Sequence, residues 1–178
     1  MRGTTLSNFS WSRDLTDTDR GALVAWNEGR NALQINQAQR EGDELFAKFL
    51  VKDLDSVISA GSFNEPTIVY RGLAVPDGCL PGLMVNTMHT NRGYMSVSLR
   101  RTHAQEFAAR RAGRPYADGI FTSISKTGEV PVVVEFTLPA GTLAAELKGN
   151  GLDEYLLARN SSFRITGVHD GLVRAVPV

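Results

Sequence analysis

Along residues 16–60 the apolar positions Leu23, Trp26, Leu33, Ile35, Leu45, Phe46, Phe49 and Leu50 recur at approximately helical spacing. Thr16-Asp17-Thr18-Asp19 supplies capping side chains and first-turn negative charge, which offset the unpaired amides of a helix start. Gly29 and Gly42 interrupt the pattern, so it predicts two or three short helices. Ser62-Phe63-Asn64-Glu65-Pro66 ends this region, because proline disfavours helix at the residue before it.

From Thr67 the period changes. Thr67-Ile68-Val69-Tyr70-Arg71 is β-branched and aromatic, a strand ending at Gly72, and Gly93 to Ser98 reads as a second strand. Thr102-His103-Ala104-Gln105 has capping-box form and opens a short helix through Ala104, Phe107 and Ala108. Val130 to Leu138 is a strand that stops at Pro139-Ala140-Gly141. Glu154 to Ala158 and Phe163 to Val168 read as a hairpin joined by Arg159-Asn160-Ser161-Ser162, and Leu172 to Val178 as an edge strand. There is no internal repeat and no low-complexity linker. The pattern predicts one α+β domain over 1–178, helical over about 15–60 and strand-rich over about 66–178.

Composition narrows the partners. In 178 residues, nineteen basic side chains cancel nineteen acidic ones, which argues against coating nucleic acid or an anionic membrane through bulk charge. Most of the cations are arginine, whose planar fork suits phosphates and carboxylates, so local clustering matters more than the average. The single cysteine, Cys79, excludes an internal disulfide and a cysteine-based zinc site. His89, His103 and His169 stand far apart without metal-ligand spacing, so no metal is expected. No apolar run approaches the roughly 18 residues of a membrane span. The polar start Met1-Arg2-Gly3-Thr4-Thr5 lacks a signal-peptide core, which points to the cytosol of a producing or target cell, or to export without a cleaved signal.

Three polar features sit at strand ends. Arg71 closes an apolar strand before Gly72. Ser96 and Ser98 lie two apart on a strand, so both hydroxyls share one face. Glu154 enters the apolar run Tyr155-Leu156-Leu157, where an unpartnered carboxylate is costly. Singly, each has a structural reading: a surface cation, edge-strand hydroxyls, a carboxylate paired with a nearby arginine.

Taken in order, Tyr70-Arg71-Gly72, Gly93-Tyr94-Met95-Ser96-Val97-Ser98-Leu99 and Glu154-Tyr155-Leu156-Leu157 resemble the arginine, serine and glutamate motifs of the toxin-like mono-ADP-ribosyltransferases. The likeness runs over roughly residues 15 to 170. Ala22 to Arg40, with Trp26 and Ile35-Asn36, resembles the helix ahead of that family's catalytic core. Val132 to Gly141 resembles its strand and Pro-x-Gly turn, and Gly151 to Arg159 the glutamate strand of the Rho-modifying clostridial exoenzymes. Phe163-Arg164-Ile165 resembles the family's next strand. Two departures stand out. Val97 replaces the middle threonine of the serine motif, at a position facing the other side of the strand. Leu152 stands two residues before the glutamate, where the family carries the glutamate or glutamine that engages the acceptor; Asp153 follows as a substitute acceptor-binding residue.

The resemblance implies an ADP-ribosyltransferase-like fold, N-terminal helices packed on a mixed or antiparallel two-sheet β core, and NAD+ as consumed substrate without a metal. Cleaving the nicotinamide–ribose bond builds positive charge on C1′, as in glycoside hydrolysis. Glu154 would contact the ribose 2′-hydroxyl and stabilise that cation. Ser96 would orient the carboxylate, and Ser98 would support strand or cofactor. Arg71 would engage the phosphates, and Gly72 would let the backbone pass close to the ligand. Arg100, Arg101, Arg110, Arg111 and Arg114 concentrate a third of the arginines before the glutamate strand. Of these Arg114, in Ala112-Gly113-Arg114-Pro115, matches a phosphate-binding arginine of the Rho-modifying relatives. A solvated basic helix face is the other reading of the cluster. Phe107, Tyr116 and Phe121 are candidates for the nicotinamide-stacking aromatic, and Thr142 to Gly151 for a mobile acceptor loop. The implied activity is transfer of ADP-ribose to a protein by a bacterial or phage effector or toxin, with an inhibitory or immunity protein as a further partner and no membrane. An RNA or DNA acceptor, an NAD+ glycohydrolase and a non-enzymatic binding module are the competing readings.

Overall fold

The computed structural model describes residues 8–28, 31–76, 84–112, 128–147, 153–169 and 171–178. Three helices follow one another as the apolar spacing predicts: α1 (Asp17–Asn27), α2 (Asn31–Glu41) and α3 (Lys48–Ser59). Thr16 begins α1 with a complete capping box. Its hydroxyl accepts from the Asp19 amide at 3.1 Å, and the Asp19 carboxylate accepts from the Thr16 amide at 2.8 Å. Arg13 closes on the same carboxylate, with Nη2 donating to Oδ1 at 3.0 Å. That hydrogen bond, with help from Thr16, holds the Asp19 carboxyl far below the ordinary carboxylate range even though the group is buried. Gly42 ends α2 at a positive φ of 79°, the conformation in which a side chain is most strained.

The helices are held by their inner faces. Ala22, Trp26, Ile35, Leu54 and Val57 pack with Tyr94 and Leu156, and Trp26 meets Tyr94 edge-on at 5.4 Å. Each large apolar side chain buried here contributes about 1.5–3 kcal/mol. A capping box contributes about 1 kcal/mol, so packing rather than capping fixes the helices on the sheet. Leu33, Leu45 and Phe49 share the apolar spacing but remain 58%, 80% and 82% exposed.

The strands are β1 (Phe9–Trp11), β2 (Gly61–Phe63), β3 (Thr67–Pro76), β4 (Met88–Asn91), β5 (Met95–Ser98), β6 (Glu129–Leu138), β7 (Ala144–Leu147), β8 (Glu154–Leu157), β9 (Ser161–His169) and β10 (Leu172–Pro177); helix α4 (Arg101–Arg111) lies between β5 and β6. β1 and β2 form a two-stranded ribbon. The others are ordered β4-β9-β10-β6-β3-β5-β8-β7 and pair antiparallel, except that β10 runs parallel to β6. Among the described residues the ladder between β3 and β5 is the single register pair Tyr70–Ser98. The sheet therefore divides there into a five-stranded and a three-stranded part. Both contribute to one core, Val69, Val134, Phe136 and Ile165 from the first packing with Val97, Tyr155 and Leu157 from the second. This is the α+β architecture with two sheet faces that the sequence suggests.

Five local expectations need correction. The strand expected to end at Gly72 runs on to Pro76, paired with β6 throughout, so Arg71 lies inside β3 rather than at its end. Glu154–Leu157 and Ser161–His169 are strands but do not form a hairpin: β8 pairs with β5 and β7, β9 with β10 and β4. The chain crosses between the sheet parts at Arg159 and Asn160, where Asn160 takes a positive φ of 58°. The C-terminal strand is not at an edge; β10 lies between β9 and β6, its buried Val173 and Ala175 filling the core. Helix α4 starts at Arg101 rather than after Thr102, because the Ser98 hydroxyl accepts the Arg100 amide at 3.0 Å and turns the chain earlier. Finally, Ala144–Leu147 of the expected acceptor loop is strand β7, held by β8. Among the described residues no helix is long and apolar enough to cross a membrane.

Candidate active site

The site lies where the two sheet parts diverge. β5 and β8 pair with Ser98 opposite Glu154 and Ser96 opposite Leu156. Residues directly opposite share a face, as do residues two apart, so Ser96, Ser98 and Glu154 are on one face. That face also carries Tyr94 and Leu156, which pack under the helices. Val97 is on the other face, 2% exposed in the core between the sheet parts, as its position in the motif predicts. Valine there fills apolar space and leaves the polar face unaltered.

Arg71, on β3, meets the backbone of β5. It neighbours the divergence pair Tyr70–Ser98, and its Nη1 donates to the Ser96 carbonyl at 2.9 Å. The side chain thus ties β3 to β5 where the ladder between them stops. Among the described residues no carboxylate pairs with Arg71. Desolvation first, then the like charges of Arg40 and Arg111, lower its pKa to about 10. At neutral pH the guanidinium is still charged, so the fold carries a half-buried cation at an electrostatic cost. A bound anion would relieve it.

Arg40 was not anticipated from the sequence. It lies in the last turn of α2, five residues after Ile35, and its carbonyl accepts from Arg92 Nη1 at 3.3 Å. The signal was present in the Ile35-Asn36 pair, which marks the helix that carries it. Asn36 itself fastens α2 to the serine strand. Its Nδ2 donates to the Tyr94 carbonyl at 3.1 Å and its Oδ1 accepts the Tyr94 amide at 2.8 Å. The approach requires glycine at the preceding position, since a Cβ on Gly93 would lie 2.3 Å from Asn36 Oδ1.

Gly72 is explained by a helix. A Cβ there would lie 2.0 Å from the Ala104 carbonyl oxygen, so the close neighbour is the α4 backbone rather than the ligand expected from the sequence. Asp153 precedes Glu154 with φ of 47°, a left-handed conformation that aspartate tolerates better than most residues. Its carbonyl accepts from the Leu99 amide at 3.1 Å, and its carboxylate from Arg100 Nε at 2.7 Å. The candidate acceptor residue is therefore already engaged by a cation. Phe107 projects from α4 with 53% exposure. On the same helix Arg101, Arg110 and Arg111 are exposed, and Glu106 pairs with Arg110 at 3.5 Å. Arg114, Tyr116, Phe121 and Leu152 lie outside the described residues. Among the described residues no cluster of His, Cys, Asp and Glu could hold a metal ion.

This arrangement of strands and helices matches solved structures along nearly the whole chain. An ADP-ribosyltransferase from Clostridium botulinum superposes with a TM-score of 0.65 at 19% identity, covering 92% of this chain and 87% of that one. An S. aureus protein solved with NAD gives 0.67 at 20% identity, covering 94% and 89%. Vis, an ADP-ribosyltransferase from Vibrio splendidus solved with agmatine, gives 0.71 at 17% identity, covering 95% and 78%. The chain has the ADP-ribosyltransferase fold. No protein-family model matches its sequence, and no curated protein matches it. The likeness is thus one of backbone architecture, and it agrees with the arginine, serine and glutamate motifs read from the sequence.

Proposed function

We propose that the chain is an NAD+-dependent mono-ADP-ribosyltransferase that modifies a protein. The carrying observation is Arg71. A half-buried cation with no carboxylate partner among the described residues, desolvated, repelled by the like charges of Arg40 and Arg111 and bonded to the serine strand, suits a pyrophosphate. Arg71 and Arg40 would hold the phosphates of NAD+, with Arg111 adding positive potential. Glu154 would face the ribose and stabilise the positive charge that develops at C1′ as nicotinamide leaves. Nicotinamide departs neutral, so the reaction asks for no strong general acid. Ser96 would keep the Glu154 carboxylate oriented across the β5–β8 ladder, and Ser98 fixes the turn into α4.

The acceptor assignment rests on the neutral overall charge, which argues against a nucleic-acid substrate. Exposed Arg101, Arg110 and Arg111 on α4, together with an Asp153 already paired to Arg100, favour RNA or DNA as the second reading. Incubating the chain with labelled NAD+ and a cell lysate, then treating with protease or nuclease, decides between them. Label lost to protease supports the proposal, and label lost to nuclease supports the second reading. Nicotinamide release without a labelled polymer makes water the acceptor. No nicotinamide release at all removes the enzymatic reading.

A further inference from the structure

Away from Glu154, between the end of α2 and the first turns of α3, lies a cleft of about 480 Å³ that the reaction described above does not use. Its floor is rigid. Arg159 donates from Nε and Nη2 to Asp55 Oδ2 at 3.1 and 2.8 Å and from Nη1 to Gln39 Oε1 at 3.0 Å. Its rim is different in kind. Phe49, on the cleft wall, is 82% exposed, and Leu45 on the connecting turn is 80% exposed. These apolar side chains keep the helical spacing of a buried face and yet cover nothing among the described residues. The turn that presents them is ordered by Asp43, whose Oδ1 accepts the amides of Leu45 and Phe46 at 3.1 and 3.0 Å. Lys48 and Lys52, one helical turn apart, stand exposed on the same wall without a carboxylate partner among the described residues. Asp55 is neutralised by Arg159, which leaves two lysines against Glu44.

We propose that this cleft docks an acidic segment of a protein, inserting one aromatic or branched apolar side chain beside Phe49 while flanking carboxylates meet Lys48 and Lys52. That the segment belongs to the acceptor protein rests on the transferase reading. The concave form favours a protein segment over an anionic membrane, which would meet a convex face. The cleft also joins the reaction centre mechanically. Asp55 Oδ1 accepts the Tyr94 hydroxyl at 2.7 Å, and Tyr94 lies two residues before Ser96 on one strand face.

The test uses the full chain and a fluorescein-labelled peptide, Asp-Glu-Phe-Leu-Glu-Asp, read by fluorescence anisotropy. Saturable binding is expected, weakened about tenfold by K48E/K52E and about fivefold by F49A. NAD+ titration and thermal melting of both variants should match the parent. Absent binding, binding indifferent to both variants, or equal binding of the charge-reversed peptide Lys-Arg-Phe-Leu-Lys-Lys overturns the proposal. Vesicles rich in phosphatidylserine that bind through the same residues, when the peptide does not, would make the surface a membrane contact and overturn it equally. Nicotinamide release is measured in parallel. Release without peptide binding rejects the cleft and keeps the transferase, and peptide binding without release does the reverse.

Discussion

Arg71 and Arg159 are both partly buried arginines beside strands β5 and β8, and the fold treats them oppositely. Arg159 has Asp55 gripped by two nitrogens, Gln39 on a third and Tyr94 nearby, and its charge is favoured, the Asp55 hydrogen bonds being the largest cause. Arg71 has one backbone carbonyl, and its charge is disfavoured, first by desolvation and then by the like charges of Arg40 and Arg111. A guanidinium that meets its carboxylate inside the protein serves the fold. One held against like charge without such a partner costs stability, and that cost is reasonable when a ligand supplies the anion.

The sharpest way to break the contrast is at the carboxylate that Arg71 is meant to face across a bound NAD+. Glu154→Gln keeps size and hydrogen-bonding capacity but removes the negative charge. Nicotinamide release should fall about 10²–10³-fold, as when a group that stabilises transition-state charge is removed. The melting temperature should hold within a few degrees. Unchanged release would sink the assignment of Glu154 and leave Arg71 as a cation without a reaction to serve.

Arg71→Ala comes next. Stability should change little or rise, because a repelled, desolvated charge is removed, while NAD+ affinity should fall at least about tenfold, the loss of a charge-assisted phosphate contact. Inorganic pyrophosphate should raise the melting temperature of the parent chain and not of the variant. A variant that loses stability and still binds NAD+ normally would make Arg71 a structural arginine like Arg159.

How far this contrast is legible in the sequence differs for the two residues. Arg71 is visible because an arginine before glycine on an apolar run, a serine pair and a downstream glutamate follow in order, although β3 continues five residues past Arg71. Arg159 reads only as part of a turn, since its partners Gln39 and Asp55 are more than a hundred positions away. The same long-range pairing hid the strand order. Period-two patterning locates β8, β9 and β10 but does not say that β8 pairs with β5, or that β10 slips between β9 and β6. Helical spacing likewise placed Leu45 and Phe49 with the core side chains, and only the packing shows them facing outward. Gly72 was legible as a close approach, but not as an approach by α4.

On the other side of the comparison, Asp55→Ala should lower stability by about 1–2 kcal/mol. The pair is roughly one-third exposed on each side, so solvent already weakens it, but Arg159 and the Tyr94 hydroxyl each lose a partner. Urea unfolding measures the loss. NAD+ affinity should stay near that of the parent, the reverse of Arg71→Ala. A large loss of NAD+ affinity with intact stability would mean that the two arginines do not divide structure from binding.

Arg13 offers a smaller, pH-readable case of the structural kind. Its partner Asp19 is buried and holds its proton far less tightly than an ordinary carboxyl, chiefly through the Arg13 hydrogen bond. A carboxyl whose folded pKa is depressed contributes stability that is fully present above its unfolded value, about 3.9, and is lost as pH falls through the folded value. Asp19→Asn should therefore cost about 1 kcal/mol at neutral pH, since asparagine can still cap the helix but cannot pair with Arg13. The difference between parent and variant should narrow steadily below about pH 4. A gap that persists undiminished into strong acid would assign the role of Asp19 to the capping geometry alone, leaving Arg159 as the arginine whose pairing supports the fold.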